Sequence, residues 1–137
     1  MNSFYLEILT PERIFYGGDC LSLILPITDG MLGIQANREP ITASVTAGEA
    51  YYTRPDGEKI LFSISGGMID MDHNRASLLC EYALLPEEID VDKERREAEE
   101  ALSELAKQQS EREYKLHKLM LNNAINNLKV KQKTTIN

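Results

Sequence analysis

Few side chains in this 137-residue sequence are of a type that does chemistry alone, and their spacing limits what each can do. His73 and His117 fall in different halves, and neither has a Ser or Cys beside it arranged as a nucleophile. His73 is read as a turn residue and His117 as a residue on a helix surface. Cys20 and Cys80 each sit inside an apolar, strand-like segment, with no C-x-x-C spacing and no neighbouring His. They are expected to be reduced and buried rather than metal ligands. Asp70 and Asp72 share one face of a strand, but a carboxylate pair without a partner base or ligand set is a solvated strand face. Gly66-Gly67 is not followed by the Gly-Lys-Ser/Thr that a phosphate loop requires. No motif for hydrolysis, group transfer or redox work is present, so a binding protein is expected rather than an enzyme acting alone.

Composition bounds the elements that must position these residues. The length suits one ordinary domain with an appendage. Hydrophobic residues make up 42% and charged residues 27% of the chain, enough for a packed core. The formal charge of −7 argues against nucleic acid, whose binders carry a basic face. Met1 is followed by Asn2-Ser3-Phe4-Tyr5-Leu6-Glu7, with no basic region or long apolar run, so no signal peptide is expected. No stretch approaches the roughly 18 apolar residues of a membrane span. A soluble, cytoplasmic protein is expected, meeting a membrane only through a larger complex.

Up to about residue 86 the pattern is β. Phe4, Leu6 and Ile8 alternate with Tyr5 and Glu7, and Ile69 and Met71 alternate with Asp70 and Asp72. Leu21 to Leu25 is a short apolar run expected to end at Pro26. Turn signals at Gly17-Gly18-Asp19, Asp29-Gly30, Pro55-Asp56-Gly57, Gly66-Gly67 and His73-Asn74-Arg75 separate the runs. About ten short strands without intervening helices predict a β-sandwich over residues 1–86, with 49–54 and 59–64 as one hairpin.

At Pro86 the period changes, and residues 87–137 contain no Gly or Pro. Ala98, Ala101, Leu102 and Leu105 make one helical stripe, and Tyr114, Leu121, Ala124, Ile125 and Leu128 make a second. The polar stretch Lys107-Gln108-Gln109-Ser110-Glu111 is the expected turn. Two narrow stripes predict an antiparallel two-helix hairpin and an α+β chain, β first and α after. Acids crowd between Glu87 and Glu113, and none follows. Lys115, Lys118, Lys129, Lys131 and Lys133 leave the second helix basic, able to attract the first helix or to leave it for an acidic surface.

The ordered landmarks resemble the epsilon subunit of bacterial F-type ATP synthases. Leu6-Glu7-Ile8-Leu9-Thr10-Pro11-Glu12-Arg13-Ile14-Phe15, with Gly18-Asp19, resembles the family's first hairpin. Thr28-Asp29-Gly30-Met31-Leu32-Gly33-Ile34, with Asn37 and Pro40-Ile41-Thr42-Ala43, resembles its long exposed loop. Ser65-Gly66-Gly67-Met68 and Pro86-Glu87-Glu88-Ile89-Asp90 resemble a strand start and the hinge into the tail. The resemblance implies a non-catalytic subunit at the cytoplasmic face of the cell membrane. Its sandwich would bind the gamma subunit and the c-ring in the central rotor stalk through Asp29, Gly30, Met31, Asn37, Arg38 and Glu39. Its tail would inhibit ATP hydrolysis by the alpha/beta catalytic subunits through Lys115, Lys118, Lys129, Lys131 and Lys133. The implied process is proton-motive-force-driven ATP synthesis, without a cofactor.

Two departures matter. Arg38-Glu39-Pro40 stands where the family has His-Ala-Pro, which implies a rewired gamma contact. Members that bind ATP on the tail carry Ile/Leu-Asp-x-x-Arg-Ala, where this chain has Ile89-Asp90-Val91-Asp92-Lys93-Glu94. Lysine lacks arginine's planar fork and glutamate repels a polyanion, so ATP binding through Ile89, Asp90 and Lys93 is expected to be weak or absent. The alternative reading is a free-standing small-ligand or nucleotide sensor whose hairpin closes on its ligand.

Overall fold

The computed structural model describes residues 2–107 and 111–135, the side chains of 111–114, 117, 134 and 135 excepted. Among these residues ten strands come first: β1 Phe4–Leu9, β2 Ile14–Cys20, β3 Ser22–Ile27, β4 Gly30–Gln35, β5 Ile41–Val45, β6 Gly48–Thr53, β7 Lys59–Ile64, β8 Gly67–Asp72, β9 Arg75–Cys80 and β10 Ala83–Leu84. They form two five-stranded sheets, in the orders β2-β1-β9-β8-β5 and β10-β7-β6-β3-β4. All these pairings are antiparallel except β1 with β9, which run parallel. The chain divides into two compact units, Met1–Leu85 and Pro86–Asn137.

Period-two alternation builds the core of the first unit. Phe4, Leu6 and Ile8 of β1, Ile69 and Met71 of β8, and Ala76 and Leu78 of β9 point inward from one sheet. Leu23 and Leu25 of β3, Ile34 of β4, Ala50 and Tyr52 of β6, and Phe62 and Ile64 of β7 face them from the other. Each fully buried Leu, Ile or Phe contributes about 1.5–3 kcal/mol relative to exposure. The register of β1 on β2 shifts between Ile8 and Leu9. Next to this irregularity, Phe15 stacks 5.2 Å from Phe62 and meets Tyr52 edge-on. Cys20 and Cys80 are buried free thiols, and burial pushes Cys80 up to about 11.

Pro26 does not end its strand. It lies inside β3, opposite Met31 of β4 and beyond the point where pairing with β6 stops at Ile24–Tyr51. Its missing N–H therefore faces no ladder partner, while its carbonyl accepts the Thr46 N–H at 3.0 Å. The 49–54/59–64 hairpin forms with Thr53 opposite Lys59. Its turn closes through Gly57 at φ +89° and an Arg54–Glu58 ion pair of 2.8 Å. His73 and Asn74 at φ +49° and +58° make the two-residue turn between β8 and β9.

The β7–β8 junction is the tightest point. The Ser65 hydroxyl oxygen accepts the backbone N–H groups of Glu81 and Tyr82 at 2.9 and 3.1 Å. Two residues on, a Cβ at Gly67 would stand 2.1 Å from the Leu79 carbonyl oxygen and 3.1 Å from Cys80.

The second unit opens with one 3-10 turn, Pro86–Glu88, followed by α1 Val91–Lys107 and α2 Glu111–Thr135. Asp90 caps α1, its carboxylate accepting the Lys93 N–H at 3.1 Å. The helices pack along each other. Early α1 meets late α2, since Glu94 bonds to Asn127 and Lys131 Nζ donates to the Pro86 carbonyl at 3.1 Å, so the pair is antiparallel. Ala101 and Ala124 are buried, Ala98, Leu105, Leu121 and Leu128 partly so. Leu102 and Ile125 depart from the expected stripes, at 60% and 38% exposed. A contact between two helices covers a narrower arc than four stripe positions span. Of the expected turn, residues 108–110 lie outside the described residues, as does the side chain of Tyr114.

Replacing Gly67 by Ala should cost about 3 kcal/mol in chemical denaturation, because backbone rather than a flexible side chain occupies the space. A loss under about 0.5 kcal/mol would mean that the β8–β9 approach is not this tight.

Candidate interaction surfaces

Three surfaces stand out, and two of them carry the sequence-predicted residues. The first is the end of the sandwich where β3 turns into β4. The turn itself is Thr28-Asp29, while Gly30, at φ +136°, and Met31 already belong to β4. A side chain at Gly30 would be strained by that φ. Asp29 and Gly30 are exposed, and Met31 is 53% exposed, an apolar side chain held out at the tip of a hairpin.

After β4 the chain passes through Asn37 at φ +64°. The Asn37 N–H donates to Asn74 Oδ1 at 2.6 Å, and Asn74 Nδ2 donates to Asn37 Oδ1 at 3.1 Å. The Asn74 carbonyl in turn accepts the Tyr5 N–H at 2.9 Å. Asn37 thus has an internal task, fastening the loop after one sheet to a hairpin of the other. Arg38 and Glu39 then stand exposed, with Arg38 Nη1 donating to the Gly33 carbonyl at 3.3 Å.

The second surface escapes single-strand reading. On the outer face of the β2-β1-β9-β8-β5 sheet, Ile14 lies opposite Leu9, Leu9 opposite Leu79, and Leu79 opposite Met68. Ile14, Leu79 and Met68 are 67%, 53% and 49% exposed. Four apolar side chains therefore line up across four strands. Next along the strands comes a polar row, Glu7, Ser77, Asp70 and Thr42, in which the Thr42 hydroxyl donates to Asp70 at 2.9 Å. Each row member is one outward apolar residue in its own strand, and only register joins them.

The third surface is the helical hairpin. Of the positions considered for ATP, Ile89 is buried, Asp90 is engaged in capping α1, and Lys93 is exposed 4.0 Å from Glu97. Lys115, Lys118, Lys129 and Lys133 are exposed on α2, whereas Lys131 is half-buried on the Pro86 carbonyl. Leu102, Leu116, Leu119, Met120 and Ile125 add an exposed apolar component. Glu94, expected from the sequence to repel a polyanion, is buried against Asn127. Burial raises its carboxyl above the usual range, partly offset by the Asn127 hydrogen bond; Glu97 and Asp90 push it further up and Lys93 pulls it down.

The single-residue chemistry reads simply. His73 is exposed in its turn beside Asp72, at 2.7 Å, and Asp70 and Asp72 face solvent. The side chain of His117 lies outside the described residues. No cluster of three metal-ligating side chains occurs among the described residues, and no helix among them is long and apolar enough to cross a membrane.

Comparison with known proteins gives these surfaces a context. Residues 3–86 match the family "ATP synthase, Delta/Epsilon chain, beta-sandwich domain". The chain is 32% identical over 131 residues to the ATP synthase epsilon chain of Caldanaerobacter subterraneus subsp. tengcongensis, covering 96% of this chain and 95% of that one. It is likewise 32% identical over 130 residues to the ATP synthase epsilon chain of Caldicellulosiruptor bescii, covering 95% and 94%. A chain in the cryo-EM structure of the Euglena gracilis mitochondrial ATP synthase, OSCP/F1/c-ring, shares the fold with a TM-score of 0.76 at 17% identity, over 98% of this chain and 82% of that one. Sandwich, hairpin and full-length relatives agree: the chain belongs to the ATP synthase delta/epsilon family, among the bacterial epsilon chains.

Proposed function

We propose that this non-catalytic epsilon chain couples the gamma subunit to the c-ring in the central stalk of its ATP synthase, and that its helical hairpin restrains ATP hydrolysis. The observation that carries the reading is the outward apolar row Ile14–Leu9–Leu79–Met68. A monomer gains nothing by holding such a row in water, and a contiguous exposed apolar patch rimmed by polar residues suits a protein partner. The gamma subunit is the partner assigned to this face. The polar end, with Asp29, Gly30, Met31, Arg38 and Glu39, is assigned to the ring and the adjoining foot of gamma, with Asn37 shaping the loop from within. The chain would then turn with the rotor at the cytoplasmic face of the membrane and support ATP synthesis driven by the proton-motive force.

The hairpin suits a removable restraint. Its buried apolar side chains are few, Ile89, Ala101, Ala124 and Val130, so it contributes only a few kcal/mol. One turn of the seam is a buried carboxylate facing an amide rather than an apolar pair. Its exposed lysines and leucines fit an acidic, partly apolar surface on a catalytic subunit, and the ionic part of that contact weakens with salt. ATP sensing is not part of the reading, because Asp90 and Glu94 already serve the hairpin itself.

Deleting residues 88–137 should leave the sandwich folded with a single cooperative melt, preserve assembly into the enzyme, and raise ATP hydrolysis about twofold or more. Unchanged hydrolysis would remove the inhibitory role. The folded hairpin holds the Glu94 proton more tightly than the open chain does. Its stability therefore falls as pH climbs from the ordinary carboxylate range through the raised value. Glu94→Gln should flatten this dependence and raise the helical melting midpoint at pH 7.5 by about 2 °C or more. An unchanged pH slope in the variant would show that Glu94 is not its source.

A further inference from the structure

Strand β4 is the last strand of its sheet, and one of its two edges is unpaired within the sandwich. Which groups it offers follows from Pro26. The Pro26 carbonyl turns away from β4 to accept the Thr46 N–H, so Pro26 and Met31 form a non-hydrogen-bonded pair. By alternation Leu32 and Ile34 bond to β3, while the N–H and C=O groups of Met31, Gly33 and Gln35 point out of the sheet. Edges are commonly blunted by Lys, Pro or inward charges, and β4, reading Gly-Met-Leu-Gly-Ile-Gln, has none of these. What stands over it is a side chain from the following loop: Arg38 on the Gly33 carbonyl.

Gly33 is the second clue. Its φ lies outside the left-handed region, and a Cβ placed on it would meet nothing within 4 Å. Neither backbone strain nor crowding inside the chain calls for glycine there. A bare position in a strand interior marks close approach by something else. The space above it continues into a groove of about 450 Å³ between Ile24, Gly33, Gln35 and Arg38, and among the described residues Arg38 is the one charged side chain lining it.

We propose that β4 receives an extended segment of a partner chain as a sixth strand, with a carboxylate of that segment drawing Arg38 off the Gly33 carbonyl. The proposal rests on the reading of this end as the rotor contact, and it supplies the mode of that contact. Main-chain pairing to Met31, Gly33 and Gln35 gives the affinity, while the space over Gly33 and the Arg38 charge give the selectivity. A second copy of this chain is the poorer occupant. Two β4 edges would bring two Arg38 side chains together on molecules that each carry −7.

Amide hydrogen exchange on the full chain, free and assembled with the ATP synthase of the same cells purified without this chain, reads the pairing directly. In the free chain the Met31, Gly33 and Gln35 amides should exchange rapidly while Leu32 and Ile34 are protected. Assembly should slow the first three about 100-fold or more. Gly33→Pro removes an outward donor without removing a ladder bond. It should weaken assembly about tenfold or more with little change in melting midpoint. Should that variant fold poorly, the wild-type exchange pattern still decides. Assembly with the three amides still open would overturn strand addition and leave the rotor reading standing. Failure to assemble at all would sink both. Protection of the same amides in a partner-free dimer would overturn the choice of occupant.

Discussion

The backbone of Gly67 lies so close to the Leu79 carbonyl that no side chain fits between them, and the outer surface of the sheet depends on that approach. It sets Gly67 opposite Cys80 and hence Met68 opposite Leu79. A one-residue slip of β8 against β9 would turn β8 over, sending Ile69 and Met71 to solvent and Met68 inward. Ser65 secures the junction by taking up two backbone donors of the chain after β9. The contact that completes the core is therefore also the one that composes the apolar row. Core and exposed apolar row share a single register.

The two units differ in what holds them. The sandwich closes a continuous core of large side chains contributed by both sheets. The second unit buries Ile89, Ala101, Ala124 and Val130 and spends part of its burial on Glu94 and Asn127. Fastening such as Lys131 on the Pro86 carbonyl is a single charge-assisted hydrogen bond, worth roughly 1.5–3 kcal/mol. A continuous core in one unit and a narrow seam in the other leave the hairpin the more easily opened of the two.

Alternation within single strands makes the core legible in the amino-acid sequence. Phe4, Leu6, Ile8, Ile69 and Met71 are buried as their spacing requires, and the turns at Pro55-Asp56-Gly57 and His73-Asn74 carry the positive φ values their residues favour. What stays hidden is everything that depends on pairing between distant segments. The row Ile14–Leu9–Leu79–Met68 exists because β1 runs parallel to β9, and no local pattern specifies that. Asn37 reads as an exposed loop residue until Asn74 is brought to it. Glu94 is one acid in a crowded acidic stretch until α2 folds back and sets Asn127 against it. Pro26 reads as a strand end because the position where β6 stops pairing is not written near it.

The central claim is that the outward apolar row makes this chain a subunit of a rotor rather than a monomer. A pull-down from a membrane extract with the tagged chain, in parallel with Leu79→Glu, tests it most directly. Leu79 is half-exposed, so the charge should leave the melting midpoint nearly unchanged. The account predicts that the wild-type chain recovers the gamma subunit and the c-ring and that the variant loses the gamma subunit. Recovery of the wild-type chain alone, or equal recovery of both partners by the two proteins, would contradict it.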